Sequence, residues 1–418
     1  MKRVIRFGSA GLLSLGLLFG VTSAHAAGGA LDPTFGSGGK VLTNLGVTVV
    51  PHDAVLQSNG DIVVAAEIGV NFGVVRYLPN GNLDSTFGSG GVAQTSFSDF
   101  FSPANALALQ SDGKIVAAGE ERSPTGSPDA FAVARFTANG KLDSTFGNGG
   151  KVTTEFFNPP LAGAQEAADA VLVQPDGKIL VGGSARQGQN RFAPTMTAIA
   201  RYNSNGSLDA GFGSGGKALA NGIGNVVTLG LDAAGDIFAL NHNAIAELNP
   251  NGSFDAGVTP AAIIASSHGG VDAFQASGQY VAASTVNVIK NDVDTQVQRF
   301  TATGSQDPTF TGPTLDYTGQ DGSATDGAGA VALQPNGQIV VGGAHFFGTS
   351  VFGLARVNSS GSLDTSFGNG GVLTTSFFGD EGVTALVIQS DGKIVGIGFA
   401  ENNSTGQVYL ALARYLGN

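Results

Sequence analysis

The chain has 418 residues, 42% of them hydrophobic and only 12% charged, with 65 glycines, 15 prolines and no cysteine. This composition excludes a disordered chain, and the missing cysteines exclude disulfides and thiolate metal sites. A formal net charge of −12 argues against nucleic acid and anionic membranes as partners and favours cations or basic surfaces.

The first element is a leader. Lys2, Arg3 and Arg6 precede an apolar run from Ala10 to Val21, and Ala24-His25-Ala26 has the small-residue pattern of a cleavage site. The run is too short for a membrane anchor and carries Gly11, Gly16 and Gly20. We read residues 1–26 as a signal peptide and 27–418 as one folded domain. Losing three basic residues takes the net charge from −12 to −15. The destination is the periplasm, the exterior or the cell surface. No later run is long enough to span a membrane, and the expected state is a monomer.

From Leu31 onward the chain repeats itself. LDPTFGSGGKV at Leu31 returns at Leu83, Leu142, Leu208 and Leu363, with weaker copies at Phe254 and Gln306. This makes seven units of about 56 residues. Within each unit come two apolar runs joined by a tight turn, such as Asn59-Gly60, Asp112-Gly113, Asp176-Gly177 and Asp391-Gly392. Asn-Gly and Asp-Gly pairs suit two-residue hairpins because both central positions need positive φ. A third block follows, VVRYLPNG in the first unit and LARYLGN in the last. The runs are apolar on both faces and need cover on both sides. Four short strands per unit, stacked face to face around an axis, predict an all-β, single seven-bladed β-propeller of antiparallel blades. The alternative, an open β-solenoid, gives no reason for complementary chain ends. The last unit stops at Gly417-Asn418, matching Gly81-Asn82, and the repeat resumes at Leu31-Asp32. Strand Lys40–Thr43 is therefore expected to complete the last blade as its outer strand.

The signature LDxTFGxGGKV, followed by ALQxDGKIVVAG and ALARYxxNG, resembles the bacterial delta-60 repeat family over residues 31 to 418. The resemblance implies a secreted or surface propeller with no assigned general activity. Units four to six depart from it: Val258 replaces Phe, Glu247 replaces Arg, and the GxGG is lost at Thr311 to Thr314.

Residue types repeated in every unit are scaffold, since one catalytic centre needs asymmetry. Phe87 and Phe146 are read as packing anchors, and Asp84 and Asp143 as partners of Arg76 and Arg135, eight residues earlier. Gln57, Gln110, Gln174, Gln275, Gln334 and Gln389 are also structural, with a place lining the channel. The segment Gly211 to Lys217 imitates a P-loop, but Ala218 stands where Ser or Thr is required and no helix pattern follows.

Asymmetry lies in two of the four connections, which share one face, including Gly119 to Ala130, Ser184 to Thr195, Thr285 to Thr295, Pro313 to Gly329 and Phe399 to Gln407. At the starts of the first strands lie Asp53, Asn105, Asp169, Val227, Asp272, Gly329 and Thr384. His52, Glu166, His268, Asp321, Asp326, His345, Asp380 and Glu381 are close in sequence to these starts. The expectation is an acidic rim at the channel mouth, with Asp53, Asp169, Asp272, His52 and His345 as ligand or cation candidates. Ca²⁺ suits such oxygen ligands, although no EF-hand loop is present. No assembled catalytic signature appears. The leading function is an exported, non-enzymatic scaffold that presents a variable acidic face to a carbohydrate or protein. The alternative is a secreted hydrolase or lyase at the channel mouth, built on Asp169 or Asp272 with His52.

Overall fold

The computed structural model describes residues 28–417 except 99, 124–127, 158–160, 189–192, 242–243, 256–260, 263–269, 276–278, 290–291, 302–303, 318–324 and 348. The leader read at 1–26 lies outside the described residues, as do Val258, His268 and Asp321.

Among the described residues, twenty-eight strands form seven antiparallel four-stranded blades. After β1 (Lys40–Thr43), blade 1 holds β2 (Val49–Leu56), β3 (Ile62–Ile68), β4 (Asn71–Tyr77) and β5 (Val92–Thr95). Blade 2 holds β6 (Ala104–Leu109), β7 (Ile115–Glu121), β8 (Ala130–Phe136) and β9 (Lys151–Thr154). Blade 3 holds β10 (Gln165–Val173), β11 (Ile179–Arg186), β12 (Met196–Tyr202) and β13 (Lys217–Ala220). Blade 4 holds β14 (Thr228–Leu231), β15 (Ile237–Asn241), β16 (Ala244–Leu248) and β17 (Ala261–Ala262). Blade 5 holds β18 (Gly270–Phe274), β19 (Tyr280–Ile289), β20 (Asp292–Phe300) and β21 (Thr314–Leu315). Blade 6 holds β22 (Thr325–Leu333), β23 (Ile339–Phe347), β24 (Thr349–Val357) and β25 (Val372–Thr375), and touches blade 5 through one parallel pair, Val293 with Thr325. Blade 7 holds β26 (Asp380–Ile388), β27 (Ile394–Asn402) and β28 (Gln407–Tyr415), with β1 as its outer strand.

The core lies between blades, which explains the continuous apolar runs. Ile62, Val64 and Val75 of blade 1 pack with Val395, Leu410 and Leu412 of blade 7 in one buried cluster. Lys40 faces Ala413 and Thr43 faces Leu410 across the closing pair. The chain ends also reproduce a hydrogen bond that other blades make within one segment. Asp84 N donates to Arg76 O at 2.9 Å, and Asp32 N donates to Arg414 O at the same distance.

Six arginines latch the ring on one face. Arg76 reaches Asp84 at 2.6 Å, Arg135 reaches Asp143 at 2.9 Å, and Arg414 reaches Asp32 at 2.9 Å across the chain ends. Each guanidinium also lies on the phenylalanine of its signature, 4.5 Å from Phe87 and 4.6 Å from Phe146. Its Nη1 crosses to a carbonyl in the next blade, Ala138 O for Arg76 and Ser204 O for Arg135, each at 2.5 Å. Burial works against ionisation of Asp32, but the Thr34 hydroxyl and amide and the Arg414 charge together hold its carboxyl at about 2. Three of the six glutamines serve this latch, Gln57, Gln110 and Gln389 accepting from Arg76, Arg135 and Arg414, and contrary to expectation none of the six lines the central cavity. Glycine is required beside it. At Gly88, φ is +55° and a Cβ would sit 2.1 Å from Val92 O. Blade 4 reverses the charge. Desolvation, then Asp236, Asp255 and Asp232, pushes the Glu247 carboxyl upward.

Candidate functional site

The inner strands surround a central cavity of about 330 Å³. Five of them bulge at equivalent places, where one residue is skipped in the pairing: His52, Asn105, Asp169, Gly329 and Thr384. A bulge sets two residues against one on the partner strand and re-aims a side chain. This corrects the expected ring by one position in blade 1. Counting back from the hairpins, His52 is the equivalent of Asn105 and Asp169, and Asp53 is the residue after the bulge. In blade 5 the equivalent is Gly270, so Asp272 lies two residues farther along β18, paired with Ala282. The side chain of Asp272 lies outside the described residues.

Among the described residues, the polar groups of the cavity lie on blades 7 and 1 to 4, the last through Thr228. His52, Asp53, Asn105, Asp169 and Thr384 line it on blades 7, 1, 2 and 3, while Val227 and Gly329 stand at the same level on blades 4 and 6. The two carboxylates stitch neighbouring blades together. Asp53 accepts from Leu107 N at 2.8 Å and Ala54 N at 2.7 Å, and Asp169 accepts from the Asn105 amide at 3.0 Å. Burial raises the Asp53 carboxyl to about 6, raises Asp169 and lowers His52. With their oxygens accepting N–H bonds, these aspartates offer little to Ca²⁺, which takes about 6–8 oxygen ligands.

The acidic rim is not an open ring. Glu166, Asp326 and Glu381 are each at most 2% exposed. They fold back onto the connections between blades: Glu166 accepts from Phe156 N, Asp326 from Tyr317 N, and Glu381 from Phe377 N, Phe378 N and Gly379 N. Asp380 accepts from Ser350 N. His345 is not at the channel mouth. It lies on β23, buried, with Nδ1 2.6 Å from Asp326 Oδ1. Among the described residues, Asp316, Asp326 and His345 bring ligand atoms within 4.8 Å of one another.

A second site lies on the variable face between blades 2 and 3, where a cavity of about 500 Å³ is lined by Phe100, Glu120, Arg122, Asp129, Glu166, Ser184, Arg186, Thr195 and Asn225. The sequence placed on the variable face the two connections to which Glu120, Arg122 and Asp129, and Ser184, Arg186 and Thr195, belong, but did not single out Glu120, Arg122, Asp129 or Arg186. Only their position outside the repeat signature could have found them. Arg122 donates Nε to Glu120 at 3.0 Å and lies over the Phe101 ring. Ser123 N donates to Asp129 at 3.0 Å. Desolvation raises Glu120 to about 7 against the pull of Arg122, with Asp169 and Asp129 adding to the rise. Burial raises Glu166 to about 7 as well.

These raised carboxyls set a pH dependence. Their folded values exceed the unfolded ones, so their contribution to stability is full below about pH 4 and is lost as pH rises through 6 to 7. Between pH 5 and pH 8 the three groups cover about five pKa units, about 7 kcal/mol at about 1.4 kcal/mol per unit, so at about 2 °C per kcal/mol the melting midpoint is expected to fall by about 10–14 °C. Calorimetry across that range checks it, and Glu120→Gln should flatten the profile. A midpoint that rises with pH would contradict the assignment.

Five segments, 57–87, 110–146, 174–212, 275–310 and 334–367, match the family described as "Domain of unknown function (DUF5122) beta-propeller". No curated protein sequence matches the chain. Among solved structures, the chain is similar to a catalytically inactive virginiamycin B lyase from Staphylococcus aureus with quinupristin, at 12% identity and TM-score 0.50, over 90% of this chain and 98% of that one. It also aligns with the Pseudomonas aeruginosa periplasmic gluconolactonase PpgL at 14% identity and TM-score 0.41, over 89% and 99%. The polysaccharide lyase Uly1 aligns at 9% identity and TM-score 0.46, over 91% and 99%. At such identities these likenesses concern the fold alone. The chain is a β-propeller protein whose repeats match a propeller domain of unknown function.

Proposed function

We propose that the chain is an exported binding propeller of the delta-60 type, which presents its variable face to a saccharide at the pocket between blades 2 and 3. The observation that carries this reading is a division between the two faces. Charged groups on one face recur from blade to blade and close the ring, whereas Glu120, Arg122, Asp129 and Arg186 answer to no repeat and line one cavity. Hydroxyl, amide and carboxyl groups there can accept from and donate to sugar hydroxyls, and Phe100, 57% exposed, offers an apolar face at the edge. The leader supports export to the periplasm, the exterior or the cell surface.

A hydrolase or lyase is the second reading. Glu120 favours it, because a carboxyl near 7 beside an arginine suits general acid–base work. A glycan array followed by product analysis separates the two. Binding is expected to weaken about tenfold or more in Glu120→Gln, with every bound glycan recovered intact. Product formation that disappears in Glu120→Gln would establish the enzyme, and undiminished glycan binding by a variant with a blocked pocket would remove the site.

A further inference from the structure

Eight arginines lie among the described residues, and seven of them have a carboxylate partner. Six hold the latch aspartates, and Arg122 holds Glu120. Arg186, the last residue of β11, is the exception. Within the described residues it makes no ion pair and no acceptor meets any of its nitrogens, with Nε shut off from solvent, whereas Arg414, whose Nε is also buried without an acceptor, places its other nitrogens on Asp32, Pro79 O, Gln389 and Thr34. In a protein that pairs every other described guanidinium, a buried charged donor without an acceptor marks a place for an anionic oxygen from outside. The same pocket holds an acceptor in the complementary state. Asn225 gives its amide hydrogens to Asp169, and its Oδ1 is buried with no donor. One ligand that carries a carboxylate and a hydroxyl satisfies both atoms.

We propose that the pocket between blades 2 and 3 binds a uronate residue of an acidic saccharide, its carboxylate on Arg186 and a hydroxyl on Asn225 Oδ1. The cavity, about 500 Å³, falls within the roughly 300–1,000 Å³ usual for small-ligand sites. Ser184 and Thr195 supply further hydroxyls along its wall. At mildly acidic pH the pocket repels such a ligand less, because Glu120 and Glu166 hold their protons up to about 7, which leaves Asp129, accepting from Ser123 N, as the remaining acid on the wall. A planar fork suits a carboxylate better than an ammonium does, which explains an arginine here in preference to a lysine.

The assignment rests on the saccharide-binding reading and is tested so that the two can fail separately. Titration calorimetry at pH 6 would compare tetragalacturonate with its fully methyl-esterified form, which keeps the rings and hydroxyls and loses the charge. Glucuronate and mannuronate tetramers extend the acidic arm. The wild-type protein is expected to bind at least one acidic tetramer. Affinity should drop at least tenfold for the ester, in Arg186→Gln and, to a smaller extent, in Arg186→Lys. Since Arg186 has no hydrogen-bond or ion-pair partner among the described residues, both variants should melt with the wild-type midpoint. Equal affinity for acid and ester, or full affinity in Arg186→Gln, overturns carboxylate recognition while leaving saccharide binding in place. Binding of none of the acidic tetramers overturns the uronate assignment, and a glycan array empty of neutral ligands as well overturns the proposed function.

Discussion

Deleting residues 28–43 is expected to abolish the cooperative unfolding transition of this protein. The segment supplies β1, so its loss leaves β28 as a bare sheet edge beside a fully built blade. It also removes Phe35, which is fully buried under the Arg414 guanidinium, and Asp32, the carboxylate that Arg414 requires. Stranding one partner of a buried ion pair costs about 3–5 kcal/mol, and losing the burial of one phenylalanine costs about 1.5–3 kcal/mol. Together these are comparable with the whole stability of a typical domain, about 5–15 kcal/mol. Circular dichroism melting and size-exclusion chromatography would show a broad transition and aggregation. A truncated chain that melts sharply within a few degrees of the parent would show that the ring does not depend on its closing strand.

Arg135→Gln is expected to lower stability by about 3–5 kcal/mol, or roughly 5–10 °C in melting midpoint. Arg135 is 4% exposed and serves five partners at once: Asp143, the Ser204 carbonyl of the next blade, the Phe146 ring, Gln110 and Thr145. Glutamine keeps some polarity but leaves the buried Asp143 with only Lys114 Nζ, 3.8 Å away, as counter-charge in place of the guanidinium. The same position in blade 4 predicts the opposite sign. Glu247 already stands among Asp232, Asp236 and Asp255, so Glu247→Gln relieves repulsion and should leave the midpoint unchanged or higher. Equal destabilisation by both substitutions would mean that the latch acts through packing and not through charge.

The scaffold was legible because repetition multiplies a weak local signal. A single DG turn or LDxTFG string means little, but five full copies and two weaker ones, each with the same internal order of turns, made the strand order, the Arg–Asp latch and the closing strand readable. The channel was legible only to within a residue or two. A bulge at His52 adds a position that the spacing of apolar residues does not reveal, and blade 5 has the sparsest repeat signature at that level. Carboxylates that looked like a solvent-facing rim proved otherwise for a physical reason. Glu166 and Glu381 sit next to backbone N–H groups left over where one blade turns into the next, and burying them there satisfies those donors. The pocket of Glu120 and Arg186 was invisible as a set of residues because its members come from two blades and from connections that share no motif. Their loops could be placed on the variable face, but which side chains meet there depends on how blades 2 and 3 stack.

The central claim is that one face holds the ring together while a pocket on the other recognises a ligand. The most direct test measures melting midpoint and tetragalacturonate affinity in parallel for Arg135→Gln and Arg186→Gln, well below either midpoint. The account predicts a crossed result: Arg135→Gln melts roughly 5–10 °C early and binds like the parent, whereas Arg186→Gln melts like the parent and loses at least tenfold in affinity. If Arg186→Gln instead melts early and binds normally, its guanidinium is one more structural contact and the division of faces is wrong.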